Sequence, residues 1–233
     1  MEVGLRGESR EEGVESMASQ GPRPQTLDPR PETLAIGVMG GTFDPIHIGH
    51  LIIAEEARYR FQLDRVIFMP AGIPPHKPDE PITDREHRYR MTVLATQDNP
   101  AFETSRIEVE RPGPSYTVDT LMEFKRIYGE ETRLFFITGA DAILEILTWH
   151  QPERLRFMCK FIAATRPGYN LGEVKRKLPK AYLEHIFFLE VPGVHISSTE
   201  LRSRAAAGMP IKYLVPAAVE DYIIQNHLYR AEK

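Results

Sequence analysis

Two histidines three residues apart, His47 and His50, close the stretch GGTFDPIHIGH over residues 40–50. At that spacing near a helix start, both imidazoles fall on one face and can point together. Such a pair can cap or pack the helix. It can bind zinc, although that needs a third ligand, and the chain has neither a thiol pair nor an HExxH motif. It can also donate hydrogen bonds to phosphate oxygens as charge develops in phosphoryl or nucleotidyl transfer. Behind two glycines and a Pro-containing turn, the phosphate reading is favoured. A second cluster, SSTELRSR over 197–204, sets three hydroxyls, Ser197, Ser198 and Thr199, at a helix start with Arg202 one turn later. A simple N-cap explains one hydroxyl. Three of them beside an arginine suit a phosphate held by free helix N–H groups. Arg204 reads as a solvated surface charge.

Other residues carry two readings each. Trp149 is the sole tryptophan and ends the apolar stretch TGADAILEILTWH; a lone tryptophan ordinarily packs in a core. Lys77 lies in the proline-rich PPHKPDEP, a loop of the kind that forms a lid or rim, where it is either a point charge for a phosphate or a solvated lysine. Asp141 either accepts hydrogen bonds from a ribose or caps the helix that follows it. Asp44, before Pro45, reads as a turn stabiliser. Arg166 follows an apolar run in TRPGY.

The elements that must position these residues alternate along the chain. Apolar runs at 34–39, 65–70, 102–110, 133–138, 160–165 and 185–191 read as strands. Helical spacing occupies 51–61, 85–97, 118–128, 142–147, 171–178, 199–207 and 217–227. The alternation predicts an α/β fold, a doubly wound, mostly parallel sheet with a C-terminal helical segment. Such sheets bind ligands beyond the carboxyl ends of their strands, where the strand order reverses, commonly between the first and fourth. There GGTFDPIHIGH would face Gly139, Ala140 and Asp141. Gly40 and Gly41 would let the backbone approach a ligand closely.

Composition narrows the function classes. Residues 1–33 hold no aromatic side chain and are rich in Glu, Arg, Pro and Gly, which predicts a disordered tail ahead of a single domain over 34–233. Met17 could serve as a start, since nothing foldable precedes it. The tail carries seven acidic and four basic residues, a net of −3 out of the whole chain's −4, so the remainder is nearly neutral and offers no basic face for nucleic acid. A single cysteine excludes an internal disulfide and fits a reducing compartment. No apolar run is long enough to span a membrane, and the acidic N-terminus is no secretory signal, so a cytoplasmic protein is expected.

GTFDPIHIGH resembles the H-x-G-H signature of the nucleotidyltransferase superfamily. The resemblance extends over almost all of 34–233 to the bacterial nicotinate-nucleotide adenylyltransferases, through PAGIPPHK (70–77), SYTVDTL (115–121), ITGADAILEILTWH (137–150), TRPGY (165–169), ISSTELRSR (196–204) and VPAAVEDYIIQNHLY (215–229). It implies a Rossmann-like fold and transfer of AMP from ATP to nicotinate mononucleotide, giving nicotinate adenine dinucleotide and pyrophosphate in NAD biosynthesis. His47 and His50 would be catalytic and, with Gly41 and Thr42, hold the reacting phosphates. Ser198, Thr199 and Arg202 would hold the β- and γ-phosphates, Asp141 the ribose, and Arg166 the adenine side. Trp149 would stack on the pyridine ring, Thr117 and the His150 backbone would bond the nicotinate carboxylate, and Lys77 would meet a phosphate. Magnesium (Mg2+) would ride on ATP rather than in a dedicated protein site. ATP and nicotinate mononucleotide are thus the implied partners, without nucleic acid or membrane, and a homo-oligomer is compatible with the chain. Two alternatives stay open: a sibling using nicotinamide mononucleotide or phosphopantetheine, and a nucleotide-binding regulator without turnover.

Overall fold

A computed structural model describes residues 33–230 of the chain apart from 76–80, Pro167 and Val194. The predicted tail, except Thr33, and Lys77 lie outside the described residues. Six strands, β1 (Ala35–Gly41), β2 (Arg65–Pro70), β3 (Phe102–Thr104), β4 (Arg133–Gly139), β5 (Lys160–Thr165) and β6 (Ile186–Glu190), form one sheet. Its order is β3-β2-β1-β4-β5-β6, and every pairing is parallel, where sequence predicted mostly parallel. The chain runs outward from β1 to one edge, returns to β4 beside β1, and runs to the other edge. The order therefore reverses between β1 and β4.

The helices are α1 (Ile48–Arg60), α2 (Arg85–Thr96), α3 (Ile107–Glu110), α4 (Thr117–Tyr128), α5 (Ala140–Leu144), α6 (Pro152–Met158), α7 (Leu171–Lys177), α8 (Lys180–Leu183), α9 (Ser198–Ala206) and α10 (Ala217–Gln225). Because side chains alternate along a strand, β1 sends Ala35 and Met39 to one face and Ile36 and Val38 to the other. The first face packs on Ala54 and Ala57 of α1, Met91 of α2, Leu201 of α9 and Val219 and Ile223 of α10. The second packs on Leu121 and Phe124 of α4, Ile143 of α5, Leu155 of α6 and Val174 of α7. Strands covered on both faces read as continuous apolar runs, which is why most were legible. No helix among the described residues is long and apolar enough to cross a membrane.

One predicted strand is wrong over half its length. Residues 102–110 split into β3 and the helix α3. The N–H of Ser105 still bonds the Phe68 carbonyl at 2.9 Å. The Ser105 hydroxyl then accepts the N–H of Ile107 at 3.3 Å and turns the chain off the sheet edge. The alternating RIEVE imitates a half-buried strand, yet both Glu108 and Val109 are buried. The helix expected at 142–147 is also divided, into α5 and a 3-10 turn over Ile146–Thr148. Helices α6, begun by Pro152 at its first turn, and α8 went unpredicted.

Candidate functional site

The first helix begins at His47, its N-cap, with His50 at the third helical position. The His47 N–H donates to Nδ1 of His50 at 3.2 Å, so in the neutral His50 ring the proton resides on Nε2, leaving that nitrogen a donor. The two rings stack with centroids 3.7 Å apart, and the Phe43 ring meets His50 edge-on at 5.1 Å. The intervening glycine has a steric reason: a Cβ on Gly49 would lie 3.1 Å from Cε1 and Nδ1 of His47. His47 is only 7% exposed, and its Nδ1 has no hydrogen-bond partner among the described residues. Burial pushes its pKa down to about 4. Burial and then the adjacent His47 charge hold His50 well below the ordinary imidazole range. Two neutral imidazoles thus sit at a helix N-terminus, where the dipole favours an anion.

The loop between β1 and α1 is held by distant residues. Arg88 of α2 is 1% exposed and, among the described residues, gives its bonds to backbone carbonyls: Nη1 to Thr42 at 2.8 Å and to Ala71 at 2.6 Å, Nη2 to Gly72 at 3.0 Å, and Nε to Thr83 at 2.8 Å. It joins the loop after β1 to the loop after β2. Asp44, before a cis Pro45, is buried, accepts from the Thr83 N–H at 3.1 Å and from the Tyr229 hydroxyl at 2.7 Å, and so stabilises its turn as expected. A Cβ on Gly40 or Gly41 would come within 2.8 Å of the Phe136 or the Phe43 ring. Internal packing therefore accounts for the two glycines expected to admit a ligand.

The start of α9 closes on the same loop. Ser197 is the cap, its hydroxyl accepting the Glu200 N–H at 3.2 Å. Ser198 donates to the Pro45 carbonyl at 2.9 Å, and Arg202 Nη1 to the Asp44 carbonyl at 2.8 Å, with Nη2 3.4 Å from the Thr199 hydroxyl. The cluster is thereby tied to Asp44 and Pro45, the turn that lies between Thr42 and His47 in the chain. Arg204 lies within 3.8 Å of Glu200 and donates to the Pro210 carbonyl.

Among the described residues, two cavities open at the carboxyl ends of the strands. The larger, about 320 Å³, is lined by His47 and Gly49, by Gly139 to Asp141 at the end of β4, by Thr165 at the end of β5 with Arg166 and Tyr169 after it, and by Ile196 before α9. Asp141 is not a cap: α5 is capped by Gly139, and the Asp141 carboxylate accepts from the Tyr169 hydroxyl at 3.2 Å. Arg166 is exposed, its Nη1 3.3 Å from Nδ1 of His195. The smaller cavity, about 90 Å³, brings together Pro75, Ser115, Tyr116, Thr117, Trp149 and His150. Trp149 is half-buried, edge-on to Phe136 at 5.7 Å and Phe161 at 6.4 Å, so it belongs partly to the core and partly to the cavity. The His150 ring stacks on Tyr116 at 4.2 Å. Sequence reasoning missed Arg88, Tyr116 and Tyr229, because a buried guanidinium in DREHRYR looks like a solvated charge run and the two tyrosines carry no local signal.

Residues 38–204 match the cytidylyltransferase-like family. A protein of Thermoanaerobacter sp. (strain X514) is 55% identical over 203 residues, covering 86% of this chain and 96% of its own length. One of Moorella thermoacetica is 57% identical over 198 residues, covering 84% and 91%. Both bear the name "Probable nicotinate-nucleotide adenylyltransferase". Among solved structures, the Plasmodium falciparum nicotinic acid mononucleotide adenylyltransferase complexed with NaAD superimposes with a TM-score of 0.69 over 84% of this chain and 97% of its own, at 22% identity, a likeness of fold.

Proposed function

The chain belongs to the cytidylyltransferase-like family and, within it, to the nicotinate-nucleotide adenylyltransferases, and from that premise we propose how its site works. The enzyme transfers AMP from ATP to nicotinate mononucleotide, releasing pyrophosphate and forming nicotinate adenine dinucleotide, a step of NAD biosynthesis. One observation carries the assignment of the centre: the stacked His47 and His50 at the start of α1, where the sheet order reverses, with His47 on the wall of the larger cavity.

ATP occupies that larger cavity. Its adenosine lies toward Asp141, which takes the ribose, and Arg166, on the adenine side. Its triphosphate runs back to Gly41, Thr42 and the two histidines, and Ser198, Thr199 and Arg202 hold the β- and γ-phosphates. The nicotinate ring enters the smaller cavity and stacks on Trp149. Thr117 and the backbone at His150 hold its carboxylate.

The 5′-phosphate oxygen of nicotinate mononucleotide attacks the α-phosphorus in line, and the bond from that phosphorus to the bridging oxygen of pyrophosphate breaks. No side chain is a nucleophile. Nε2–H of His50 donates toward the oxygens on which charge grows, a donor fixed in direction before substrate arrives. Magnesium would be carried by ATP and would offset charge on its phosphates, and no residue of this chain is assigned to hold it. A reducing, cytoplasmic setting suits the lone buried Cys159, whose thiol burial pushes up to about 12.

Pyrophosphate release from ATP, measured with nicotinate mononucleotide, nicotinamide mononucleotide and phosphopantetheine in turn, tests the reading. It expects the highest kcat/KM with nicotinate mononucleotide. Preference for another acceptor would make the chain a sibling enzyme, and release with none of them would make it a regulator.

A further inference from the structure

The segment after α10 grips the loop between β1 and α1 at a place the reaction does not touch. Helix α10 ends at Gln225, and the Leu228 N–H closes that end by bonding the Ile223 carbonyl at 3.0 Å. His227, with φ 53°, and Tyr229, with φ 63°, then adopt the left-handed backbone region. That conformation is costly for a residue with a side chain and persists where the surroundings fix it. The half-buried Tyr229 ring packs against the same core as Met91, and its hydroxyl donates to Oδ1 of Asp44 at 2.7 Å, a residue 185 positions earlier. Asp44 is 3% exposed, and its Oδ2 accepts the Thr83 N–H at 3.1 Å. Each oxygen of this buried carboxylate thus has a donor.

Asp44 stands three residues before His47, so whatever holds its carboxylate also holds the approach to the histidine pair. Other bonds reach the same loop. The Ile48 N–H, at the first residue of α1, donates to the Leu214 carbonyl at 3.0 Å, Ser198 donates to the Pro45 carbonyl, and Arg202 to that of Asp44. Ser198 and Arg202 are read as triphosphate ligands, so their bonds to the loop are open to exchange when ATP binds. The bond from Tyr229 ends on a buried side chain that substrate does not reach, and it can hold the loop throughout. We propose that Tyr229 is a positioning residue for the transfer: by anchoring the buried Asp44 carboxylate, it sets where His47 and His50 stand against the reacting phosphates. This rests on the reading of the histidine pair as the centre of transfer. Tyr229 acts through Asp44 and lines neither cavity.

The test uses the full chain and compares wild type with Tyr229→Phe, His50→Ala and the double variant, each assayed well below its own melting temperature. Tyr229→Phe keeps the ring and its packing and removes the hydroxyl, which leaves the Asp44 carboxylate, among the described residues, with the Thr83 N–H as its donor. In that variant kcat should fall roughly tenfold, as for the loss of one hydrogen bond to a charged group, while KM for ATP and for nicotinate mononucleotide stay within about threefold. In the His50→Ala background the same change should lower kcat by less than about twofold, because the group it places is gone. A hydroxyl that only stabilises the fold would lower the melting temperature and leave kcat as it was. Should Tyr229→Phe not fold, Asp44→Ala removes the other end of the bond and carries the same expectations. Unchanged kcat in a folded variant, a larger change in either KM than in kcat, or an equal loss of kcat with and without His50 would overturn the proposal. If His50→Ala loses kcat and Tyr229→Phe does not, this inference alone fails. If His50→Ala itself keeps near-normal kcat, the reading of the histidine pair fails with it.

Discussion

Replacing His47 with glutamine removes a titrating ring from a buried position while leaving a polar side chain of comparable reach, and the structure sets the size of the effect. The folded protein holds this imidazole at a pKa of about 4 against 6.5 for the free ring. Between those values the unfolded chain binds the extra proton and the folded protein does not, so stability is fully present above about pH 6.5 and is lost as pH falls toward about 4. At about 1.4 kcal/mol per unit, the whole window amounts to about 3 kcal/mol. His50 is depressed in the same direction and adds to the trend in both proteins. Urea unfolding from about pH 7.5 to about pH 4.5 supplies the curves. Wild type should lose up to about 1.4 kcal/mol more than His47→Gln for each unit below about pH 6.5. Parallel curves would refute the claim that burial keeps this ring neutral.

Three further outcomes follow from the site. His50→Ala should lower kcat by roughly 10² with the fold retained, since it deletes a preorganised donor, and near-normal kcat would return the histidine pair to a structural role. Trp149→Ala should raise KM for nicotinate mononucleotide roughly ten- to hundredfold with KM for ATP little changed. Being half-buried, it should lose less stability than the about 3–5 kcal/mol of a fully buried ring, and equal damage to both substrates would mark it as core alone. Arg88→Met leaves the carbonyls of Thr42, Ala71, Gly72 and Thr83 without their donor and Asp44 without its nearby charge. It should cost about 3 kcal/mol or more in chemical denaturation, and a loss under about 1 kcal/mol would mean that the loops hold themselves.

The fold was legible where burial on both faces wrote an unbroken apolar run, as in β1, β2, β4 and β5. It was illegible at 107–110, where Ile, Glu and Val alternate as in a strand but the Ser105 hydroxyl turns the chain into a helix. Chemistry legible in the sequence came from local spacing: His47 and His50 one turn apart, and Ser197 to Arg202 along one helix start. The structure assigned the cap to Ser197 and excluded one for Asp141, distinctions that depend on side-chain direction rather than residue type. What could not be read were partners far apart in the chain. Arg88 meets Thr42 across 46 residues, Tyr229 meets Asp44 across 185, and Ser115 meets Gly72 across 43. Each is a polar side chain that composition alone assigns to solvent, and burial becomes visible only when the loops it joins are seen together.

The central claim is attack at the α-phosphorus of ATP by the phosphate of nicotinate mononucleotide. ATP labelled at the α-phosphate, incubated with the enzyme and nicotinate mononucleotide, should deliver its label to nicotinate adenine dinucleotide, with unlabelled pyrophosphate released in equal amount. Label recovered in ADP or AMP, with no labelled dinucleotide, would contradict the account.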